Sequence, residues 1–192
     1  MEPRKYGPFP YTPINRRPKL KWPNGAHVAV WVIPNIESFV LDEKIIGDRK
    51  IPEVQHFSQR DYGARVGVFR IMDALSKRNI RGSVTLNSEV CDVYPEIMED
   101  AMALDWEFLG HNQSNTRRLH DIPPETEQQV IHDALRRITE TTGVRPKGWL
   151  GSGMSETWDT LDYLASEGIE YVGDWVNDDQ PYFMEVNGGK KM

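Results

Sequence analysis

The sequence has very little cysteine, no long apolar run and no excess of positive charge. Its 192 residues include one cysteine, Cys91, which excludes an internal disulfide and a zinc site built on several thiolates, so we expect a cytoplasmic, reducing location. No stretch is long enough to span a bilayer, and the first residues lack the apolar core of a secretion signal. The formal net charge of -6 offers no basic field to nucleic acid or to an anionic membrane, so we expect neither as a partner.

The chain divides into a short arm and one domain. Residues 1–25 carry repeated prolines and a basic patch, which predicts an extended arm wrapped on the rest of the protein. A hydrophobic content of 39% gives residues 26–192 enough apolar side chains for one sizeable core. We therefore predict a single domain at 26–192.

Within this domain, short apolar segments alternate with helical patterns. The segments predict five strands, at residues 26–34, 80–86, 106–110, 147–153 and 169–174. Apolar faces of helical period predict helices at residues 66–77, 94–103, 123–141 and 157–167. Residues 40–60 are typical of a long loop or lid, and residues 184–192 of the start of a hairpin whose return strand is absent. The alternation predicts an α/β fold with a parallel sheet, either rolled into a barrel or wound open.

Polar and aromatic side chains stand where these predicted strands end. In chain order they are Glu37, Asn87, His111, Trp149 and Asp174. A lone histidine or a lone acid at such a place is more often an ordinary loop residue. In α/β folds, however, the groups that do chemistry collect at the carboxyl ends of strands. If the sheet forms a barrel, all five side chains reach one rim, which makes His111 a candidate catalytic residue.

Several of these segments together resemble the polysaccharide deacetylase superfamily (NodB homology, carbohydrate esterase 4-like), in the branch of allantoinase-like and cyclic-imide hydrolases. The resemblance covers residues 22–182, and its most specific parts are residues 22–25, 35–37, 60–67, 110–115, 148–151 and 174–182. It implies a distorted seven-stranded (β/α) barrel and hydrolysis of a non-peptide C–N bond. It also implies that the last barrel units, with a late Leu-x-His motif that supplies an acid, would lie beyond Met192.

The motifs that hold a metal in this superfamily are altered. Metal-dependent members have an Asp-Asp pair after the first strand and His-x-x-x-His after the third, and zinc needs about three protein ligands. Here Glu37 is a single carboxylate, and Asn115 stands where the second histidine would be. A neutral amide is a poor zinc ligand. The cofactor is left open: zinc, another divalent metal, or none.

The first functional hypothesis is a hydrolase of a small amide or a cyclic ureide or imide. Glu37 would take a proton from water, and His111, with Asn115 or Asn87, would donate to the carbonyl oxygen. Asp174 completes the expected catalytic set. The residues expected to bind substrate are Asn35, Arg65, Asn87, Trp149 and Trp175.

Two other hypotheses remain open from the sequence. One is a zinc-dependent deacetylase of an N-acetylated sugar or polysaccharide, with Glu37, His111 and Asn115 as ligands. The other is an inactive or binding-only truncated barrel, whose unpaired strand edges would join another chain or a second copy in a homo-oligomer.

Overall fold

Parallel strands in sequential order form the centre of the computed structural model, which describes residues 3–44, 47 and 50–192. Parts of the predicted arm (1–2) and of the predicted loop (45–46 and 48–49) lie outside the described residues. The strands are β1 (Asn35–Ile36), β2 (Ser83–Leu86), β3 (Glu107–Gly110), β4 (Gly148–Trp149), β5 (Tyr171–Val172), β6 (Glu185–Val186) and β7 (Lys190–Lys191). The first five form one sheet in the order β1-β2-β3-β4-β5, which confirms the predicted α/β fold.

Helices connect these strands and cover the sheet. They are α1 (Pro3–Tyr6), α2 (Val54–Tyr62), α3 (Val68–Ser76), α4 (Val90–Val93), α5 (Pro95–Ala103), α6 (Glu127–Thr142) and α7 (Thr160–Ser166). The helix α6 ends at Gly143 in the left-handed conformation, as the sequence predicted. In the described part of the chain, no helix combines the length and the apolar character needed to cross a membrane.

The core consists of two apolar clusters that meet at α6. Leu86 and Phe108 of the sheet belong to one cluster, together with Ile138 of α6. Leu135 of α6 and Trp149 of β4 belong to the other. Because α6 contributes side chains to both clusters, it fixes β3 and β4 against the same surface.

A layer of polar and aromatic side chains runs across the sheet and shows that it is curved. Glu107 of β3 accepts hydrogen bonds from the Ser83 hydroxyl and from the Tyr171 hydroxyl, each at 2.8 Å. The ring of Tyr171 meets the ring of Trp31, from the segment before β1, with centroids 5.8 Å apart. This contact between β5 and the segment before β1 brings the two edges of the sheet towards each other, as in a barrel.

The first predicted strand is much shorter than expected, and the prediction that residues 26–34 are buried is wrong. Val30 is 83% exposed and Val28 is also exposed. Pairing with β2 begins only where the Ser83 amide donates to the Val32 carbonyl at 3.0 Å. The segment is exposed because β1 is an edge strand, with no partner among the described residues on its other side.

The predicted loop at 40–60 is also corrected, because α2 already begins at Val54. A π-helical turn at Gly63–Gly67 joins α2 to α3 in one continuous helical run. No residue of α2 is buried, so this helix lacks the apolar face that sequence patterns detect.

The predicted half hairpin is complete, so the expectation of an absent return strand is wrong. The strand β6 pairs antiparallel with β7 around a turn in which Asn187, Gly188 and Gly189 have positive φ. The Glu185 amide of this hairpin donates to the Pro8 carbonyl of the arm at 2.7 Å. The arm therefore contacts the hairpin at this point, and it contains the helical turn α1.

Close packing between β3 and β4 generates a stability prediction. A Cβ added at Gly110 would lie 2.4 Å from Trp149 Cε3 and 3.0 Å from Leu135 Cδ2, both in fully buried side chains. We expect Gly110→Ala to lower the free energy of unfolding by about 2 kcal/mol or more, because these neighbours cannot move away. Chemical denaturation measures the change.

A matched glycine provides the control. Gly63 has helical φ and ψ and nothing within 4 Å of an added Cβ. We expect Gly63→Ala to be neutral or to stabilise the protein by about 0.4–1 kcal/mol. Equal destabilisation by both substitutions would contradict the packing argument.

Candidate functional site

The loops after β1 and β3 bring Glu37 and His111 together. The His111 Nε2 atom lies 3.4 Å from Glu37 Oε1. His111 is 2% exposed, whereas Glu37 is 26% exposed and borders a cavity of about 250 Å³. The two side chains are 74 residues apart in the sequence, and the parallel sheet makes them neighbours at the carboxyl ends of their strands.

A buried amide, that of Asn87, fixes this arrangement. Its Oδ1 accepts the Ser38 amide at 2.8 Å, and its Nδ2 donates to the His111 carbonyl and to Ser152 Oγ, the latter at 3.3 Å. The Ser152 hydroxyl also donates to the His111 carbonyl, at 2.9 Å. Because Asn87 is fully buried and its amide is occupied by these bonds, we correct its expected role: it supports the site and does not bind substrate.

The position of the His111 ring determines where its protons lie. Its Nδ1 is 2.5 Å from the Leu150 carbonyl oxygen, and a carbonyl only accepts, so Nδ1 carries a hydrogen. Nε2 then carries a hydrogen only when the ring is cationic. Nε2 is itself buried, and Glu37 Oε1 lies beside it at 3.4 Å.

The charge on Glu37 is favoured by its neighbours. Burial raises the pKa of Glu37, but the hydrogen bond and charge of His111 and the amides of Asn115 and Asn35 outweigh burial and lower it. Glu37 is therefore ionised at neutral pH and can accept a proton.

Asn115 and Asn35 flank this carboxylate. The backbone N–H of Asn115 donates to the Ser38 carbonyl at 3.0 Å, which holds Asn115 beside β1. Its side-chain Oδ1 is buried and accepts no hydrogen bond from the described residues. Asn35 accepts the Thr85 hydroxyl at 2.8 Å, so its own amide N–H groups remain for Glu37.

A second acidic centre lies across the loop that follows β4. Leu150 of this loop bonds His111, and the next amide, that of Gly151, donates to Asp174 Oδ1 at 2.7 Å. The Asp174 carboxyl is in contact with that of Glu156, whose Oε1 accepts the Trp175 indole N–H at 3.2 Å. Sequence reasoning missed Glu156, because it belongs to no motif and only the fold of residues 151–155 brings it to Asp174.

Two residues expected to bind substrate lie elsewhere, and we correct both. The Trp149 indole has 0% exposure and packs in the core against Gly110, so it cannot line a pocket. Arg65 is 70% exposed and pairs with Asp61 at 2.5 Å. The arginine that lines the Glu37 cavity is Arg60, whose guanidinium lies 4.6 Å from the centre of the Phe39 ring.

Trp175 remains a candidate pocket residue, at a different cavity. It is partly exposed and lines a cavity of about 520 Å³ together with Glu156 and Trp158. The predicted rim is therefore divided, because Glu37 borders one cavity and Trp175 borders another.

The donor set around Glu37 does not fit a tight zinc site. Among the described residues, no group of three or more His, Cys, Asp or Glu side chains could hold a metal ion. Zinc takes about three protein ligands of these types, and Glu37 and His111 supply two, beside the neutral amide of Asn115.

The fold is that of several solved structures. A Mycobacterium smegmatis protein described as a polysaccharide deacetylase superposes with a TM-score of 0.73 and 22% identity over 88% of this chain and 59% of its own. A Pseudomonas aeruginosa PAO1 protein described in the same way gives 0.75 and 24% over 88% and 61%. The allantoinase Puue gives 0.75 and 24% over 97% and 64%.

This likeness confirms the fold that the sequence resemblance implied. At such identities it establishes the fold alone, and the chain spans about three fifths of the length of these proteins. No protein-family model and no curated protein matches the chain.

The Asn87 network generates a prediction on stability. Asn87→Ala removes the partner of the Ser38 amide and the donor to the His111 carbonyl, in a buried hydrogen-bond network. We expect it to cost about 3 kcal/mol of unfolding free energy, since buried polar groups lose their partners. The exposed Gln128→Ala in α6 is the control and should change stability by less than about 0.5 kcal/mol. Similar melting temperatures for the two variants would refute the network's role.

Proposed function

We propose that this protein hydrolyses a non-peptide C–N bond in a small amide or a cyclic ureide or imide. The observation that carries the proposal is an ionised Glu37 whose Oε1 lies 3.4 Å from Nε2 of a buried histidine, at the mouth of a cavity. The similarity to proteins described as polysaccharide deacetylases and to an allantoinase supports this class of bond. The single cysteine supports a reducing compartment as its location.

Glu37 and His111 divide the proton transfers between them. Glu37, kept ionised by its neighbours, accepts a proton from a water molecule as the oxygen of that water bonds to the substrate carbonyl carbon. The cationic form of His111 gives the Nε2 proton to the carbonyl oxygen as negative charge develops there, and takes it back when the C–N bond breaks and the carbonyl re-forms. When the C–N bond breaks, the proton held by Glu37 passes to the leaving nitrogen, which restores the carboxylate.

Asn115 favours a substrate with an N–H beside its carbonyl. Its Oδ1 is an acceptor without a donor among the described residues, and it lies next to Glu37. A substrate N–H would supply that donor, and a buried acceptor left without one is costly. Amides, ureides and imides all offer such a group, which supports this class without selecting among its members.

The test is turnover of a panel of allantoin, cyclic imides, formamides and N-acetyl sugars, with and without added Zn²⁺. We expect Glu37→Gln to lower kcat about 10²- to 10⁴-fold, because a positioned base is lost while shape is kept. His111→Gln should lower it by a similar factor, because a donor to the oxyanion is lost. Arg65→Ala, which changes an exposed side chain outside the site, is the control and should retain the wild-type rate.

Two results would decide against this proposal. The first is a wild-type rate in Glu37→Gln or in His111→Gln with unchanged melting temperature. The second is activity that is lost to a chelator and regained with Zn²⁺, which would favour the zinc-dependent deacetylase instead.

A second candidate function is assembly through the β1 edge of the sheet, which has no partner strand among the described residues. Val28, Val30 and Trp31 are exposed beside β1, and apolar side chains next to an unpaired edge favour association. We propose that the partner is a second copy of this chain.

Light scattering after gel filtration tests this assembly. Val30→Lys places a charge beside the edge and should shift the protein towards the monomer. Val144→Lys changes a similarly exposed valine after α6, away from the edge, and should leave the mass unchanged. A monomeric wild-type protein at all concentrations would exclude the assembly.

A further inference from the structure

Glu156 and Asp174 form a pair of carboxyl groups in contact, next to the loop that bonds His111. The Asp174 Oδ2 atom is buried. If both carboxyl groups are ionised, this atom has no hydrogen-bond donor among the described residues. The loop encloses the pair closely, since a Cβ at Gly151 would lie 2.7 Å from the Ser155 carbonyl oxygen and 3.2 Å from Asp174 Oδ1. A hydrogen on Glu156 is therefore the donor that Oδ2 lacks.

The surroundings place that hydrogen on Glu156. Its Oε1 accepts the Trp175 indole N–H, which leaves Oε2 to carry a hydrogen. Burial and the negative charges of Asp174 and the more distant Glu127 raise the pKa of Glu156 to about 8. Glu127 is itself buried and already accepts the Thr157 hydroxyl at 2.7 Å.

Asp174 faces charges of both signs. Burial raises the pKa of Asp174, while the Gly151 amide and the charge of His111 act in the opposite direction. Asp174 is thus the member of the pair that bears the negative charge, with a backbone donor on one side and a histidine close enough to interact electrostatically.

We propose that Glu156 is a positioning residue of the hydrolytic site: its neutral carboxyl donates a hydrogen bond to Asp174 Oδ2 and keeps a single negative charge facing His111. The inference rests on the proposed function. It adds a residue that neither the sequence motifs nor the compared structures pointed to.

The single charge acts on the reaction through His111. The negative charge of Asp174 interacts with the His111 ring, whose Nε2 is the atom proposed to donate to the substrate oxygen. If Glu156 ionises, two adjacent carboxylates repel each other, and Asp174 is displaced from the Gly151 amide. Glu156 therefore influences catalysis without contact with the substrate.

Two substitutions in the full chain separate positioning from mere structure. Glu156→Gln keeps an acceptor for Trp175 and a donor for Asp174, whereas Glu156→Ala keeps neither. We expect Glu156→Ala to lower kcat about tenfold, as for the loss of one hydrogen bond to a charged group, and Glu156→Gln to lower it less than about threefold. Equal losses in the two variants, or none in Glu156→Ala, would overturn the proposal.

The pH profile adds a readout that a structural role would not change. Wild-type kcat should fall above a pH of about 8, as Glu156 loses its proton. The ratio of the wild-type rate to the Glu156→Gln rate should therefore fall above a pH of about 8, because only the wild type loses this proton. A ratio that does not change with pH would count against the proposal.

Thermal stability tests the proton without a substrate. The folded protein holds a proton on Glu156 up to a pH of about 8, but the unfolded chain releases it near the ordinary pKa of 4.5. The melting temperature of the wild type should therefore fall relative to that of Glu156→Gln as the pH rises from 4.5 to about 8. Above a pH of about 8, the difference between the two melting temperatures should be constant.

The two failures are distinguishable. A difference in melting temperature that does not change with pH would overturn the assignment of the proton, whatever the protein hydrolyses. If the difference in melting temperature changes with pH as expected but no compound in the panel is turned over, the proposed function is overturned. The positioning role then fails with it.

Discussion

The buried amide of Asn87 is the constraint on which the site depends. It stands after β2 and bonds the loops that follow β1, β3 and β4, through Ser38, His111 and Ser152. Each of these bonds lies away from water, so breaking one would leave an unpaired polar group and not a hydrated one. Glu37 and His111 consequently have fixed positions, although they come from different loops. A rigid base and donor are what a hydrolytic site needs, because misplacement by about 1 Å costs rate heavily.

Glu37 and Glu156 have pKa values that are shifted in opposite directions. Glu37 has amide and imidazole donors around it, and these lower its pKa despite partial burial. Glu156 has an acid beside it and less hydrogen-bond support, so burial prevails and its pKa rises. Environments that shift the pKa values of two carboxyl groups in opposite directions are typical of active sites that need a base and a neutral acid at one pH.

The central arrangement could be predicted from the sequence, because it follows from topology. Parallel strands deliver their next residues to one edge, so Glu37 and His111 had to be close if the alternation of strands and helices was correct. The role of Trp149 could not be predicted in the same way. Side chains alternate between the two faces of a strand, and β4 is too short and too apolar for its pattern to tell which face is the core. The position of Glu156 beside Asp174 depends on a loop conformation, which has no periodic sequence pattern. The helix α2 lacks a buried face, so its sequence has no apolar period either.

The bond between Pro8 and Glu185 links residues that are 177 positions apart in the sequence. Loop closure over such a separation is entropically slow, whereas the contacts of α6 and of the β6–β7 hairpin are local. During synthesis, the first residues leave the ribosome long before their partner exists. The contact of the arm with this hairpin can therefore form only after Glu185 has been translated, later than the local contacts of the segments between them.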